Sequence, residues 1–372
     1  MAARRRLLPR PFEILTLTLT LAIVVWLRAA GLRMDWKTVD FMAGAMIGRL
    51  PTVLAWGLAL QALTLLLTRS SPREWASRVL TPASAWLWLR VWFAAMAMTY
   101  GYTWLKVSIP LLRPDLFDPQ LWRLDRLVHL GLSPSVFAWE LVRGTWLATA
   151  TDLWYGAWVT TVLAMLSWVY LSPDLPVRRN FAFACSFLWL VGVWIYFAVP
   201  ALGPCYASPD AFAGLGEEMP RAAAGQQALW SNYANLLEGR RDGILRQFKP
   251  YLGIAAFPSL HVGAHWLFAL WAKRHARRLY VPLALATLLT FLGSLATGWH
   301  YAIDGYAGML LAWAAVRLAD RCEPVPSGDS RANGASRPDD GVGEQQAGDQ
   351  RDGDQHHAEG GLDAERDVAL EQ

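Results

Sequence analysis

Residues 257–261 read Phe-Pro-Ser-Leu-His, and residues 297–305 read Thr-Gly-Trp-His-Tyr-Ala-Ile-Asp-Gly. Between His261 and His300 lie two apolar runs, separated by a basic cluster at 273–278. Each run has about 15 to 19 residues, which suits a helix that crosses a bilayer. The chain is therefore predicted to cross a membrane from His261, turn at the basic cluster and return to His300 on the starting side.

His300 and Asp304 carry the first chemical prediction. They are four residues apart and so share one face of a helix. The carboxylate can accept a hydrogen bond from one imidazole nitrogen and leave the other free as a nucleophile. His261 can protonate a leaving oxygen, because an imidazole titrates near neutral pH. The pattern indicates phosphoryl transfer.

These two stretches resemble the type 2 phosphatidic acid phosphatase superfamily, and more closely its inositolphosphotransferase branch, which includes the inositol phosphorylceramide synthases. Residues 258–261 are similar to the Pro-Ser-Leu-His motif of that branch, and residues 298–308 resemble the third family motif. The resemblance implies that His300 is the nucleophile that becomes phosphohistidine, that Asp304 orients it and that His261 is the acid/base. It also implies an enzyme that needs no metal or other cofactor.

The phosphate clamp is where this chain departs from the wider family. That family has an Arg six residues before the nucleophile, and this chain has Ser294 there. The inositolphosphotransferase branch also tends to lack this Arg. A guanidinium fork from the long loop before His261 is our first choice as a replacement. The candidate phosphate-binding residues are Arg241, Arg240, Lys249, Ser259, Lys106 and Arg113.

Lys106 and Arg113 remain open between two interpretations. Their spacing, Lys followed after six residues by Arg-Pro, resembles the wider family's first motif, whose basic residues bind phosphate. In that family the motif directly precedes the helix of the first histidine, whereas here two further predicted spans intervene. A Lys and an Arg that extend toward the interface at a helix end explain the pattern equally simply.

Composition predicts an all-α, polytopic membrane helix bundle. The chain has 372 residues, of which 54% are hydrophobic and only 17% charged, and it contains 21 Trp. Hydropathy predicts about eight spans, and the resemblance implies that six of them form a phosphatase-like core. They are 12–30, 50–68, 84–105, 146–171, 180–199, 258–272, 279–296 and 302–318.

The predicted domains are N-terminal transmembrane helices at 1–83, a phosphatase- or phosphotransferase-like domain at 84–320 and a disordered acidic tail at 321–372. With the N-terminus inside, the segments 4–10, 69–78, 178–179 and 273–278 are cytoplasmic, and each is basic. Both termini would then be cytoplasmic. The two histidines would face the outside, which is the periplasm for a bacterial inner membrane.

The preferred function is transfer of a lipid headgroup, and the partners would be a lipid substrate and a hydroxyl acceptor, either water, inositol or a lipid, without nucleic acid. A lipid phosphate phosphatase is the main alternative. Two alternatives come from other functional classes. One is a metal enzyme with a site built from His261, His265, His300 and Asp304, and the other is a transporter with a His-Asp proton relay. His265 fits helix packing better than a proton relay, and Asp152 is open between function and anchoring.

Overall fold

The structure is a computed structural model that describes residues 8–33, 36–238 and 249–325. Within these residues the chain is helical and contains no strand, which confirms the all-α prediction. The α-helices are α1 (Pro11–Ala29), α2 (Trp36–Thr68), α3 (Pro72–Val79), α4 (Pro82–Leu112), α5 (Asp118–Val128), α6 (Pro134–Val142), α7 (Trp146–Gly156), α8 (Trp158–Tyr170), α9 (Leu175–Ala198), α10 (Pro204–Ala207), α11 (Leu215–Glu218), α12 (Pro220–Glu238), α13 (Leu260–His275), α14 (Tyr280–Ala296) and α15 (Ala302–Cys322).

Five helical stretches in the described residues are long and apolar enough to cross a membrane. They are α1, Thr38–Thr68 of α2, α9, Arg277–Ala296 (α14 with the turn before it) and α15. The pair α7 and α8 adds a sixth if the two helices count as one bent span. The remaining two predicted spans form helices as well, namely α4 and the 16-residue α13. The protein is therefore an integral membrane protein with a polytopic helix bundle.

The bundle is arranged around α9, α13 and α15. α13 packs against α14 and α15, α15 packs against α9, and α9 also contacts α1 and α4. Two glycines let α13 and α15 approach each other closely. A Cβ on Gly263 would lie 2.9 Å from the carbonyl oxygen of Gly308, and a Cβ on Gly308 would overlap the carbonyl oxygen of Ser259. This crossing fixes the distance between the two histidine motifs.

Two regions differ from the sequence prediction in their local structure. The predicted continuous span 146–171 is broken at Gly156 and Ala157, where α7 and α8 are bent by 47°. The predicted long loop at 205–256 contains α10, α11 and the 19-residue α12. α12 begins where it does because Asp152 accepts hydrogen bonds from the first backbone N–H groups of the helix, those of Arg221 and Ala222.

Several predictions fall outside the described residues. Arg240, Arg241 and Arg246 lie in the segment 239–248, and the tail after residue 325 is also outside. The division at residues 83 and 320 stays a prediction, as do the disorder of the tail and the clamp role of Arg241. The segment between the third and fourth predicted spans forms α5 and α6.

Candidate active site

The two histidines and the aspartate of the sequence motifs lie together. Nδ1 of His300 is 3.2 Å from Oδ2 of Asp304, and Nε2 of His300 is 2.9 Å from Nδ1 of His261. His300 is 1% exposed and Asp304 is fully buried. Because Asp304 can only accept when ionised, His300 donates through Nδ1–H and keeps a lone pair on Nε2. That nitrogen, which faces His261, is the one able to attack phosphorus.

Local helix chemistry explains why these side chains are held in place. Ser259 is the N-cap of α13, and its hydroxyl accepts a hydrogen bond from Val262 N–H. Asp304 also accepts from Tyr301 N–H at 2.9 Å, so the carboxylate that orients His300 caps the start of α15 as well. A backbone bond from Ser259 N–H to the carbonyl of Asp304, 2.8 Å, joins the two motifs directly. The Ser259 hydroxyl therefore serves as the N-terminal cap of α13.

Aromatic side chains surround His261. The Tyr155 hydroxyl lies 3.0 Å from its Nδ1, and the Trp158 ring packs edge-on against it with 4.1 Å between centroids. Trp299 lies on a third side, 6.3 Å between centroids. The sequence did not indicate either Tyr155 or Trp158 as a site residue, because both lie far from His261 along the chain.

His265 does not reach the site through its ring. Its Nδ1 contacts the carbonyl of His261 at 2.9 Å, and its Nε2 lies 3.1 Å from the Thr161 hydroxyl. These contacts agree with the predicted helix-packing role. In the described part of the chain, no group of three or more His, Cys, Asp or Glu side chains is arranged to hold a metal ion.

The phosphate-binding candidates Lys106 and Arg113 lie against aromatic rings near the end of α4. The Lys106 ammonium lies over the rings of Tyr102 and Tyr196, at 5.7 and 5.3 Å, and a Cβ on Gly253, just before the first motif, would lie 3.0 Å from Lys106 Cγ. Arg113 instead covers the ring of Phe197 at 5.5 Å. Phosphate binding by Lys106 or Arg113 and their extension toward the interface both stay predictions.

Ser294 and Lys249 are each held by hydrogen bonds to nearby residues. Ser294, at the position of the family Arg, is buried, and its hydroxyl donates to the carbonyl of Phe291. Lys249 is held through its backbone, because its N–H donates to Asn232 at 2.7 Å. It lines a polar cavity of about 340 Å³ along α12, together with Gln227, Ser231 and Asn235.

Helix α5 supplies two carboxylates that the sequence analysis passed over. Asp118 is 4% exposed and accepts from Leu202 N–H, Gly203 N–H and the hydroxyl of Tyr301, at 2.9, 2.8 and 2.9 Å. Asp125, two turns later on the same helix face, accepts from Ile303 N–H at 3.0 Å. Burial raises the pKa of the Asp125 carboxyl, and the backbone N–H donors oppose that rise. The seven-residue spacing of Asp118 and Asp125, which puts both on one face of a helix, is the sequence feature that could have indicated this pair.

Comparison with known proteins supports the family assignment. A family model described as the PAP2 superfamily matches residues 119–318, which is more than half of the chain. Neither a curated protein nor a solved structure matches significantly. The matched range contains both histidine motifs, α5 from its second residue onward and the Tyr155 helix. This chain belongs to the PAP2 superfamily.

Proposed function

We propose that this protein transfers a phosphoryl or phosphodiester headgroup of a lipid through a phosphohistidine on His300, without a metal ion. The observation that carries the proposal is the line of contacts from Asp304 through His300 to His261, with 3.2 and 2.9 Å between successive atoms. Membership of the PAP2 superfamily supports a lipid phosphatase or phosphotransferase. The inositolphosphotransferase assignment rests on the resemblance of the Pro-Ser-Leu-His motif.

In the proposed reaction, Nε2 of His300 attacks phosphorus while Asp304 holds the Nδ1–H of the same ring. The phosphoryl group enters between the two imidazoles, whose nitrogens are 2.9 Å apart in the free protein. His261 gives a proton to the leaving alkoxide and later removes one from the acceptor hydroxyl. The intermediate divides one difficult displacement into two easier ones.

Lys106 is the described basic side chain with the best claim to bind the phosphate. Its cation–π contacts with Tyr102 and Tyr196 and its place against Gly253, just before the first motif, support this choice. The loss of the family Arg at Ser294 favours a phosphodiester, which carries less charge than a phosphomonoester. This difference favours a headgroup transferase, with a lipid phosphate phosphatase as the second candidate.

The proposed location is the bacterial inner membrane, with the active site facing the periplasm and both termini in the cytoplasm. The support is the distribution of basic residues. The described turn at 273–278 contains Lys273, Arg274, Arg277 and Arg278 and lies at the far end of α13 from His261.

The test uses purified full-length protein in nanodiscs with EDTA present. Phosphatidic acid, an isoprenyl phosphate and phosphatidylinositol with ceramide are supplied in turn, with and without free inositol. Inorganic phosphate and new lipids are then measured by mass spectrometry. His300→Ala should abolish turnover and the acid-labile phosphoprotein, whereas His275→Ala, at the opposite end of α13, should keep both.

Each outcome selects one function. Free phosphate that depends on His300 identifies a phosphatase, and a new phospholipid without free phosphate identifies a transferase. Activity lost in EDTA and restored by a divalent metal would refute the metal-independent mechanism. Full activity in His300→Ala would refute the assignment of the nucleophile.

A further inference from the structure

A broken helix forms the wall beside His261. α7 ends at Gly156, α8 begins at Trp158, and the two helices are bent by 47°. The residues on either side of the break, Tyr155 and Trp158, both contact the His261 imidazole. One contributes a hydroxyl 3.0 Å from Nδ1, and the other contributes an apolar ring face. The break therefore brings two different groups onto one side chain.

Nδ1 of His261 has a second neighbour, Nε2 of His300, at 2.9 Å. In the free protein this Nε2 has a lone pair, because Nδ1–H of the same ring is donated to Asp304. It can therefore accept a hydrogen bond from His261. Once Nε2 is bonded to phosphorus it has no lone pair left, so His261 loses this partner in the intermediate.

The Tyr155 hydroxyl can serve His261 in both of its protonation states. Its oxygen accepts from Nδ1–H when the imidazole is protonated, and its rotated O–H donates to Nδ1 when the imidazole is neutral. Tyr155 is 4% exposed, so bulk water does not compete for the bond. Trp158 limits the remaining freedom of the ring by packing edge-on against it.

We propose that Tyr155 is the positioning residue of His261, and that its hydroxyl holds Nδ1 beside the scissile P–O bond whenever that nitrogen is not exchanging a proton with the substrate. This inference rests on the proposed function. In the first step the His300 Nε2–P bond forms and the P–O bond breaks. The bond's electron pair goes to the leaving oxygen, which takes the Nδ1 proton of doubly protonated His261. Tyr155 then donates to the neutral nitrogen.

The second step reverses these roles. Nδ1 of His261 removes the proton of the acceptor hydroxyl, whose oxygen attacks phosphorus and breaks the bond to His300 Nε2. The electron pair of that bond returns to the nitrogen, and the Tyr155 hydroxyl turns back to accept from Nδ1–H. Tyr155 itself exchanges no proton with the substrate, so its effect acts entirely through His261.

The experiment compares two leaving groups in the full-length protein. An alkoxide requires protonation as it departs, whereas p-nitrophenolate does not. Tyr155→Phe should lower kcat for a lipid phosphate about 10- to 100-fold with little change in KM, as a loss of acid catalysis predicts. The pre-steady-state burst of nitrophenolate from a p-nitrophenyl ester of the same phosphoryl group should stay near wild type. Tyr206→Phe, whose hydroxyl donates to the Gln226 carbonyl at 3.0 Å, is the matched control.

An equal loss with both leaving groups, or no loss with either, would overturn the proposal. If Tyr155→Phe does not fold, Trp158→Leu is measured instead, because it removes the ring that packs against His261. It should lower the rate for the lipid phosphate and spare the nitrophenolate burst. An equal loss with both leaving groups would count against the proposal. His300→Ala is measured in parallel and should remove the burst as well as turnover. A burst that persists in His300→Ala refutes the proposed function itself, not the role of Tyr155.

Discussion

Substituting Gly308 by alanine should separate the two histidine motifs and lower activity while the bundle still folds. A Cβ at this position would come closer than 3.0 Å to the backbone oxygen of Ser259, whereas ordinary Cβ contacts begin near 3.4 Å. Rotating a side chain cannot relieve this contact, because the oxygen of Ser259 belongs to the main chain and residue 308 lies within helix α15. The strain must be relieved by moving α15 away from α13, and with it His300 away from His261.

The magnitude follows from that geometry. Relief requires a shift of about 1 Å, and a misplacement of that size at reacting groups can cost roughly 100-fold in rate. Overpacking a tight helix crossing costs about 1 to 3 kcal/mol of stability. We therefore expect kcat to fall about 100-fold while the bundle still folds.

The assay pairs initial rates on the lipid substrate with thermal unfolding in the same nanodiscs. Gly48→Ala is the matched control, because a Cβ on that α2 residue meets nothing within 4 Å. It should leave the rate unchanged and be neutral or stabilising by up to about 1 kcal/mol. A Gly308→Ala protein with wild-type kcat would refute the argument that this crossing sets the spacing of the histidines.

Two further substitutions test the surroundings of the site. Lys106→Met removes the ammonium proposed to bind the phosphate, so KM for the lipid phosphate should rise at least about 10-fold, as the loss of one charge-assisted contact predicts, and Lys106→Arg should recover part of the loss; unchanged kinetics in Lys106→Met would exclude a phosphate contact. Asp118→Asn leaves at least one of three buried donors without an acceptor, so the free energy of unfolding should fall by about 1 to 3 kcal/mol. Asp115→Asn, at an exposed position, is the control. Equal melting temperatures for the two variants would contradict a stabilising role for the hydrogen bonds of Asp118.

The sequence was sufficient for the helix bundle and for the core of the site, for two physical reasons. Long apolar runs have few alternatives to membrane helices, because backbone polar groups must be satisfied within the segment. The pairing of His300 with Asp304 follows from helix periodicity, since residues four apart share a face. Both are local properties that can be read within a short window of the chain.

The surroundings of the site could not be predicted in this way, because they depend on contacts between distant residues. Tyr155 and His261 are 106 residues apart, and Asp118 and Tyr301 are 183 apart. No local pattern marks either pair. The bend at Gly156 was hidden because hydropathy continues across it, and the contact of Lys106 with Tyr196 depends on the packing of α4 against α9.

The distribution of the site over the chain has a consequence for its synthesis. Lys106 lies on α4, Tyr155 on α7 and His261 on α13, whereas His300 and Asp304 arrive only with the start of α15. Once α13 has been inserted, His261 and Tyr155 are both in the bilayer, but under the proposed mechanism the nucleophile is still missing. A growing chain that follows this mechanism cannot react with the surrounding lipids until α15, its last described helix, has been inserted.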